Sequence, residues 1–237
     1  MNKNELNEAF NLLKSAAEQG DADAQCNLGV YYYFSKGIRQ DYNEAFRWFK
    51  AAAEQGNAKA QNNLGNCYYY GKGVKQDYNE AFRWYKLVAE QGIAVAQYNL
   101  GICYLNGQGV KQDYNEAFRW FKAAAEQGLT EAQYWMGNCY YEGSGTKQDY
   151  NEAFRWFKAA AEQGMAEAQY NLGICYYYGQ GVSQDYKEAY YWYLISYRNG
   201  YTDAEQGVKI LEDRLTYQQK QEVQNRVNDW IRTHPKE

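Results

Sequence analysis

The chain has 237 residues, with 29 acidic against 25 basic side chains and a net charge of −4, which excludes the basic face a nucleic-acid binder needs. Hydrophobic residues make up 46% while mean hydropathy is −0.85, because 27 tyrosines count as hydrophobic yet carry a hydroxyl. No apolar run approaches the roughly 18–20 residues that cross a bilayer, and one histidine, His234, leaves little material for imidazole chemistry or a zinc site.

The chain repeats itself. Asp-Tyr-Asn-Glu-Ala-Phe starts at Asp41, Asp77, Asp113 and Asp149, with looser copies at Glu5 and Asp185, each 36 residues after the last. Twenty of the 21 glycines share four phases of that period, and only Gly207 is off-pattern. Such a period predicts stacked helical repeats, each unable to bury its apolar face alone.

In the first repeat Leu6, Leu12 and Leu13 stand where the others carry Tyr, Trp and an aromatic ring, as a modified end would. The second repeat shows the unit in full. Asp41 with Glu44 three residues on predicts a capping-box start, and Ala45, Trp48, Phe49, Ala52 and Ala53 recur at helical spacing until Gly56 stops the helix. A second helix is expected from about Ala58 to Tyr70, stopped by Gly71, with Gly-Lys-Gly-Val-Lys-Gln as the turn to the next cap. Gly65 and its equivalents sit mid-helix, where glycine costs about 1 kcal/mol against alanine. They imply a bulky partner, an indole or a facing backbone, in the place of a side chain. The repeats starting at 77, 113 and 149 follow the same reading, and the sixth departs from it after Asp185. A final helix is expected to start at Thr216, with Gln219 three on, and to cap the last core face through Val223, Val227, Trp230 and Ile231. This gives about five and a half helix pairs over residues 1–215 and a capping helix over 216–237.

The motif that reads A45-FR-WFKAAAEQG56, A60-QNNLGNCY68 and G71-K-G73-V74 here resembles the Sel1-like repeats, relatives of the tetratricopeptide proteins, over about residues 5–215. The resemblance implies an all-α fold, a right-handed α/α solenoid superhelix of helix-turn-helix repeats. It also implies a bacterial adaptor or scaffold that binds a protein or an extended peptide. A cysteine-rich branch, some of whose members were described as penicillin-binding or β-lactamase-like, carries paired cysteines in every repeat. This chain does not: Cys67, Cys103, Cys139 and Cys175 share one phase and Cys26 stands off it. Equivalent positions of stacked repeats lie about 8–10 Å apart, beyond the roughly 7 Å Cα limit for a disulfide. The cysteines therefore read as small core residues of a reduced protein.

No catalytic, metal or cofactor set emerges. Gly71–Val74 lacks the rest of a phosphate loop and is explained by helix stop and turn. Ser144-Gly145-Thr146-Lys147 matches S-x-x-K but falls in an inter-repeat turn without its companion motifs. The repeated carboxylates are explained as caps and helix pairs, so no enzyme is expected.

For a partner, the first helix offers an outward face, which by resemblance lines the concave groove. Asn43, Arg47, Lys50 and Glu54 lie on it, and it recurs as Asn79, Arg83, Lys86; Asn115, Arg119, Lys122; and Asn151, Arg155, Lys158. An asparagine–arginine ladder suits the backbone or carboxylates of an extended acidic segment, while Glu44–Arg47 and Lys50–Glu54 also read as ordinary intrahelical pairs. On the second helix, positions 59, 62, 63, 66 and 70 differ between copies, which reads as relaxed constraint or as partner specificity. In the sixth repeat Tyr191 and Leu194 replace the arginine and lysine, forming either an aromatic docking patch or the seat of the C-terminal helix. The leading expectation is a non-enzymatic interaction scaffold. An inhibitor or immunity-type protein is the alternative, and a cell-wall enzyme of the cysteine-rich branch is less favoured. No nucleic acid, membrane insertion, cofactor or metal is expected. Lacking an apolar leader at Met1–Leu6, the protein is expected to be cytoplasmic, or periplasmic or secreted if a leader was removed, and monomeric.

Overall fold

The computed structural model describes residues 3–35 and 39–234, with side chains from residue 8 onward; the Leu6 side chain and residues 36–38 lie outside what is described. Among the described residues there are thirteen α-helices and no strand, in two compact units, residues 1–113 and 114–237. The first unit holds α1 (Lys3–Glu18), α2 (Ala22–Phe34), α3 (Tyr42–Glu54), α4 (Ala58–Tyr70), α5 (Tyr78–Ala89) and α6 (Ala94–Asn106). The second holds α7 (Tyr114–Glu126), α8 (Thr130–Glu142), α9 (Tyr150–Glu162), α10 (Ala166–Tyr178), α11 (Tyr186–Arg198), α12 (Ala204–Glu212) and α13 (Tyr217–Thr233). Odd and even helices up to α12 are the first and second helices of six repeats. The last pair is thus complete rather than half-formed, with α12 shortened to 9 residues.

Each full repeat starts where an aspartate can cap. The carboxylate of Asp41 accepts from the backbone N–H of Asn43 (2.9 Å) and Glu44 (3.1 Å), and Asp77, Asp149 and Asp185 do the same in their repeats. The expected capping box is only half made. Glu44 turns away to Arg47 and Trp48, and the Asp41 N–H donates instead to the carbonyl of Tyr32 in the preceding second helix, at 3.1 Å. The same inter-repeat bond recurs as Asp77 to Tyr68 (3.0 Å), Asp149 to Tyr140 and Asp185 to Tyr176 (2.9 Å each). The N-cap therefore also fastens one repeat to the next. By contrast α13 has the full box, Thr216 and Gln219 exchanging bonds at 2.9 and 3.3 Å.

The mid-helix glycines receive a ring, but not the indole. A Cβ on Gly29 would lie 2.6 Å from the Phe49 ring, one on Gly65 2.7 Å from Tyr85, and one on Gly173 2.6 Å from Tyr193; Gly137 faces Phe157 in the same way. The ring belongs to the residue after the tryptophan, and it packs against the bare backbone of the preceding second helix. These rings are the centre of the core: Phe49, Tyr85 and Phe157 are at most 2% exposed. The off-pattern Gly207 of α12 has the same purpose. Its Cβ would lie 2.7 Å from the far side of Tyr193, so this ring is held between two glycines.

Buried glutamines add a polar seam that the pattern of apolar residues did not reveal. Gln25 donates to the Ala17 carbonyl (3.1 Å) and accepts from Gln55 of the next repeat (2.8 Å). In the second unit Gln133 accepts from Gln163 (2.7 Å) and Gln169 from Asn199 (2.9 Å). Buried amides satisfied this way fix the stacking register rather than merely permitting it.

Candidate functional site

The outward face of the first helices is built as the helical spacing required, with Asn43, Arg47 and Lys50 on α3 and Asn79, Arg83 and Lys86 on α5 all exposed. In the second unit Asn115, Arg119 and Lys122 on α7 and Asn151, Arg155 and Lys158 on α9 are exposed likewise. Each unit thus presents two matching rungs. The arginines do not rest on the asparagines. Arg47, Arg83, Arg119 and Arg155 each reach the glutamate three residues earlier, at 3.0, 2.8, 3.2 and 2.6 Å, and their side chains stay 65–75% exposed. The lysines pair with the glutamate four residues on, at 3.8–3.9 Å. Exposed pairs of this kind are worth about 0–1 kcal/mol and open readily for a better partner.

The tryptophans take part in a way the spacing did not reveal. Glu44 accepts from both Arg47 and the Trp48 indole N–H (3.1 Å), while the Arg47 guanidinium lies 5.0 Å from the indole centre. Glu116, Arg119 and Trp120 repeat that arrangement in the second unit. Each guanidinium is therefore held against a ring and a carboxylate but keeps a free edge toward solvent. On α5 the face hollows into a shallow cleft of about 260 Å³ lined by Glu80, Arg83, Trp84 and Leu87. Leu87, where α3, α7 and α9 carry alanine, is 44% exposed.

Tyr191 and Leu194 must be withdrawn from this face. Each is only 8% exposed, because α13 lies on α11 and covers them together with Trp192. Trp230 meets Trp192 edge-on at 5.6 Å, and Arg226 stacks over the Tyr191 ring at 4.2 Å while forming a two-pronged pair with Glu188. With arginine replaced by Tyr191, Glu188 is left for Arg226 to claim.

Ser144 lies in the turn after Gly143, 3.3 Å from Glu142, and does not start a helix. All five cysteines are free and buried. Burial pushes the Cys67, Cys103, Cys139 and Cys175 thiols up to about 12. A raised thiol pKa keeps the neutral form bound to the fold, so its stabilising effect is complete below the ordinary thiol range and is lost as pH rises toward 12. The native protein should therefore not react with a disulfide reagent at pH 8, should react fully once unfolded, and should lose stability between about pH 9 and 12. Reaction of native thiols within minutes would contradict this burial.

Fold and face together define an all-α helical-repeat protein. The Sel1 repeat family profile matches residues 2–21, 22–57, 58–93, 94–129, 130–165 and 166–201, and the chain belongs to the Sel1 repeat family. Sel1 repeat proteins are generally non-catalytic scaffolds for protein interaction. A Sel1 repeat protein from Oxalobacter formigenes is similar at 36% identity and a TM-score of 0.72, covering 84% of each chain. The protective antigen c5321 of uropathogenic Escherichia coli is similar at 41% identity and a TM-score of 0.79 over 84% of this chain, which spans 43% of that protein. The immunity protein Pa5087 of Pseudomonas aeruginosa is similar at 25% identity and a TM-score of 0.52, covering 77% of this chain and 67% of its own. No protein of curated function matches. Among the described residues no helix is long and apolar enough to cross a membrane.

Proposed function

We propose that the protein is a non-enzymatic scaffold whose first-helix faces hold an acidic extended segment of a partner protein. The observation that carries this reading is the recurrence of one exposed guanidinium per rung, at Arg47, Arg83, Arg119 and Arg155, each in an intrahelical pair weak enough to exchange. Asn43, Asn79, Asn115 and Asn151 stand one helical turn away to meet the segment's backbone, and the Leu87 cleft accepts an apolar side chain. The test is capture of partners from the source cell by the native chain and by a variant with all four arginines changed to Glu. The variant is expected to keep its helical circular dichroism and lose the partner. Retention of the same partner by a folded variant would overturn the reading.

A second reading, occlusion of a cognate toxin or enzyme, is supported by the likeness to immunity protein Pa5087. It predicts that the captured partner is a folded enzyme inhibited on binding, and that peptides cut from it do not bind.

A further inference from the structure

The second unit also carries a feature on its second helices that the acidic-segment reading leaves unused. Between α10 and α12 lies a cleft of about 250 Å³, walled by Tyr170, Tyr177, Tyr178, Gly207 and Ile210 and floored by Tyr193. It exists because Gly207 draws α12 onto the far side of the Tyr193 ring. Tyr178 is 65% exposed at its lip. Asp203, the N-cap residue of α12, stands beside Tyr170 and accepts from the Tyr201 hydroxyl, and the rings of those two tyrosines are 5.2 Å apart. On the other side of α10 a second cleft of about 230 Å³ opens over Phe157, with the exposed carboxylate of Glu142 at its edge and Asn138 and Asn171 in its wall. Ile174 borders both clefts.

Tyrosine faces with a carboxylate beside them attract a cation, and a guanidinium, flat and weakly hydrated, suits stacked aromatic walls best. The chain already shows this chemistry at the end of α12, where Arg214 lies 5.6 Å from the centre of Tyr177 and 5.3 Å from that of Tyr186. Lys209 of α12 is turned to Glu205, at 2.7 Å. Helices α8 and α10 carry Glu131, Glu142 and Glu167 and no basic residue. The charge is therefore complementary to a basic ligand.

We infer that this face docks an extended basic segment of a partner protein, one arginine entering the tyrosine cleft beside Asp203 and a second pairing with Glu142 in the adjoining cleft. The spacing between the two follows from geometry. Clefts on either side of one helix are separated by about one helix-packing distance, roughly 8–10 Å. A polyproline-type strand advances about 3.1 Å per residue and returns to the same side every third residue, so positions i and i+3 lie about 9.3 Å apart on one face. The recognised pattern is Arg-x-x-Arg in that conformation.

The test uses the full chain and three fluorescent peptides at low salt: Gly-Arg-Pro-Pro-Arg-Gly, the same peptide with both arginines replaced by neutral citrulline, and a version with a third proline between the arginines. The first is expected to bind at least tenfold more tightly than either of the others and to weaken as salt rises. Tyr178→Ala, at an exposed position, and Glu142→Gln should each weaken it by about fivefold with helical content unchanged. The four-arginine variant of the first-helix face should bind it as the native chain does, so that this inference and the proposed function fail separately. Equal affinity for the citrulline peptide, indifference to Tyr178→Ala, or no binding by the native chain would overturn the inference.

Discussion

Gly73→Ala is expected to unfold its repeat, whereas Gly56→Ala costs little, although both glycines have a positive φ (73° and 86°). At Gly56 an added Cβ meets nothing within 4 Å, so the cost is the left-handed backbone alone, about 1–2 kcal/mol. At Gly73 the same atom would lie 2.6 Å from the carbonyl carbon of Tyr42 and closer still to its oxygen. That obstacle is main chain at the capped start of α3 and cannot rotate away. The turn would have to move off α3, the first helix of its own repeat, taking Val74 with it, and the expected loss is about 4–5 kcal/mol, at the severe end for a single substitution. Thermal melts of the two variants beside the native chain decide the matter. Equal melting temperatures would show that the turn does not press on α3 as described.

Truncation after Leu215 is the second large effect. It removes Val223 and Val227, both fully buried, together with the Trp230 contact and the Arg226–Glu188 pair. Two buried aliphatic side chains contribute about 1.5–3 kcal/mol each, so the second unit should lose about 3–6 kcal/mol. The uncovered Tyr191, Trp192 and Leu194 form one contiguous apolar surface, and the truncated chain should self-associate in a concentration-dependent manner. Sedimentation of both forms measures this. A truncated chain that stays monomeric and melts within 2–3 °C of the native one would show that α13 is not a cap.

Period, helix limits and core rings were readable because they depend on residues close in sequence and were stated six times over. Readings failed where the answer lay with a neighbour in space. Gly65 announced a close approach, but Trp84 and Tyr85 are adjacent in sequence and spacing alone did not say which ring arrives. Glu44 had the right offset for a capping box. Trp48 and Arg47 outbid Asp41 for its carboxylate once the preceding repeat had taken the Asp41 N–H. The outward position of the arginines followed from a 100° turn per residue, and their restraint by Glu, joined by Trp at Arg47 and Arg119, needed coordinates. The tyrosine cleft was least legible. It joins Tyr170 to Ile210 across a lone glycine that obeys no period.

The backbone bond from each N-cap aspartate to the preceding second helix has a consequence for how such a chain changes over generations. Donor and acceptor are the same two atoms at every junction described: Asp41 to Tyr32, Asp77 to Tyr68, Asp113 to Tyr104, Asp149 to Tyr140 and Asp185 to Tyr176. A gene slip that inserts or deletes one 36-residue copy brings together a donor and an acceptor already suited to each other. Length then becomes a heritable variable that moves in whole steps without an ill-fitting intermediate, while the sixth copy and α13, which belong only to each other, hold the end in place.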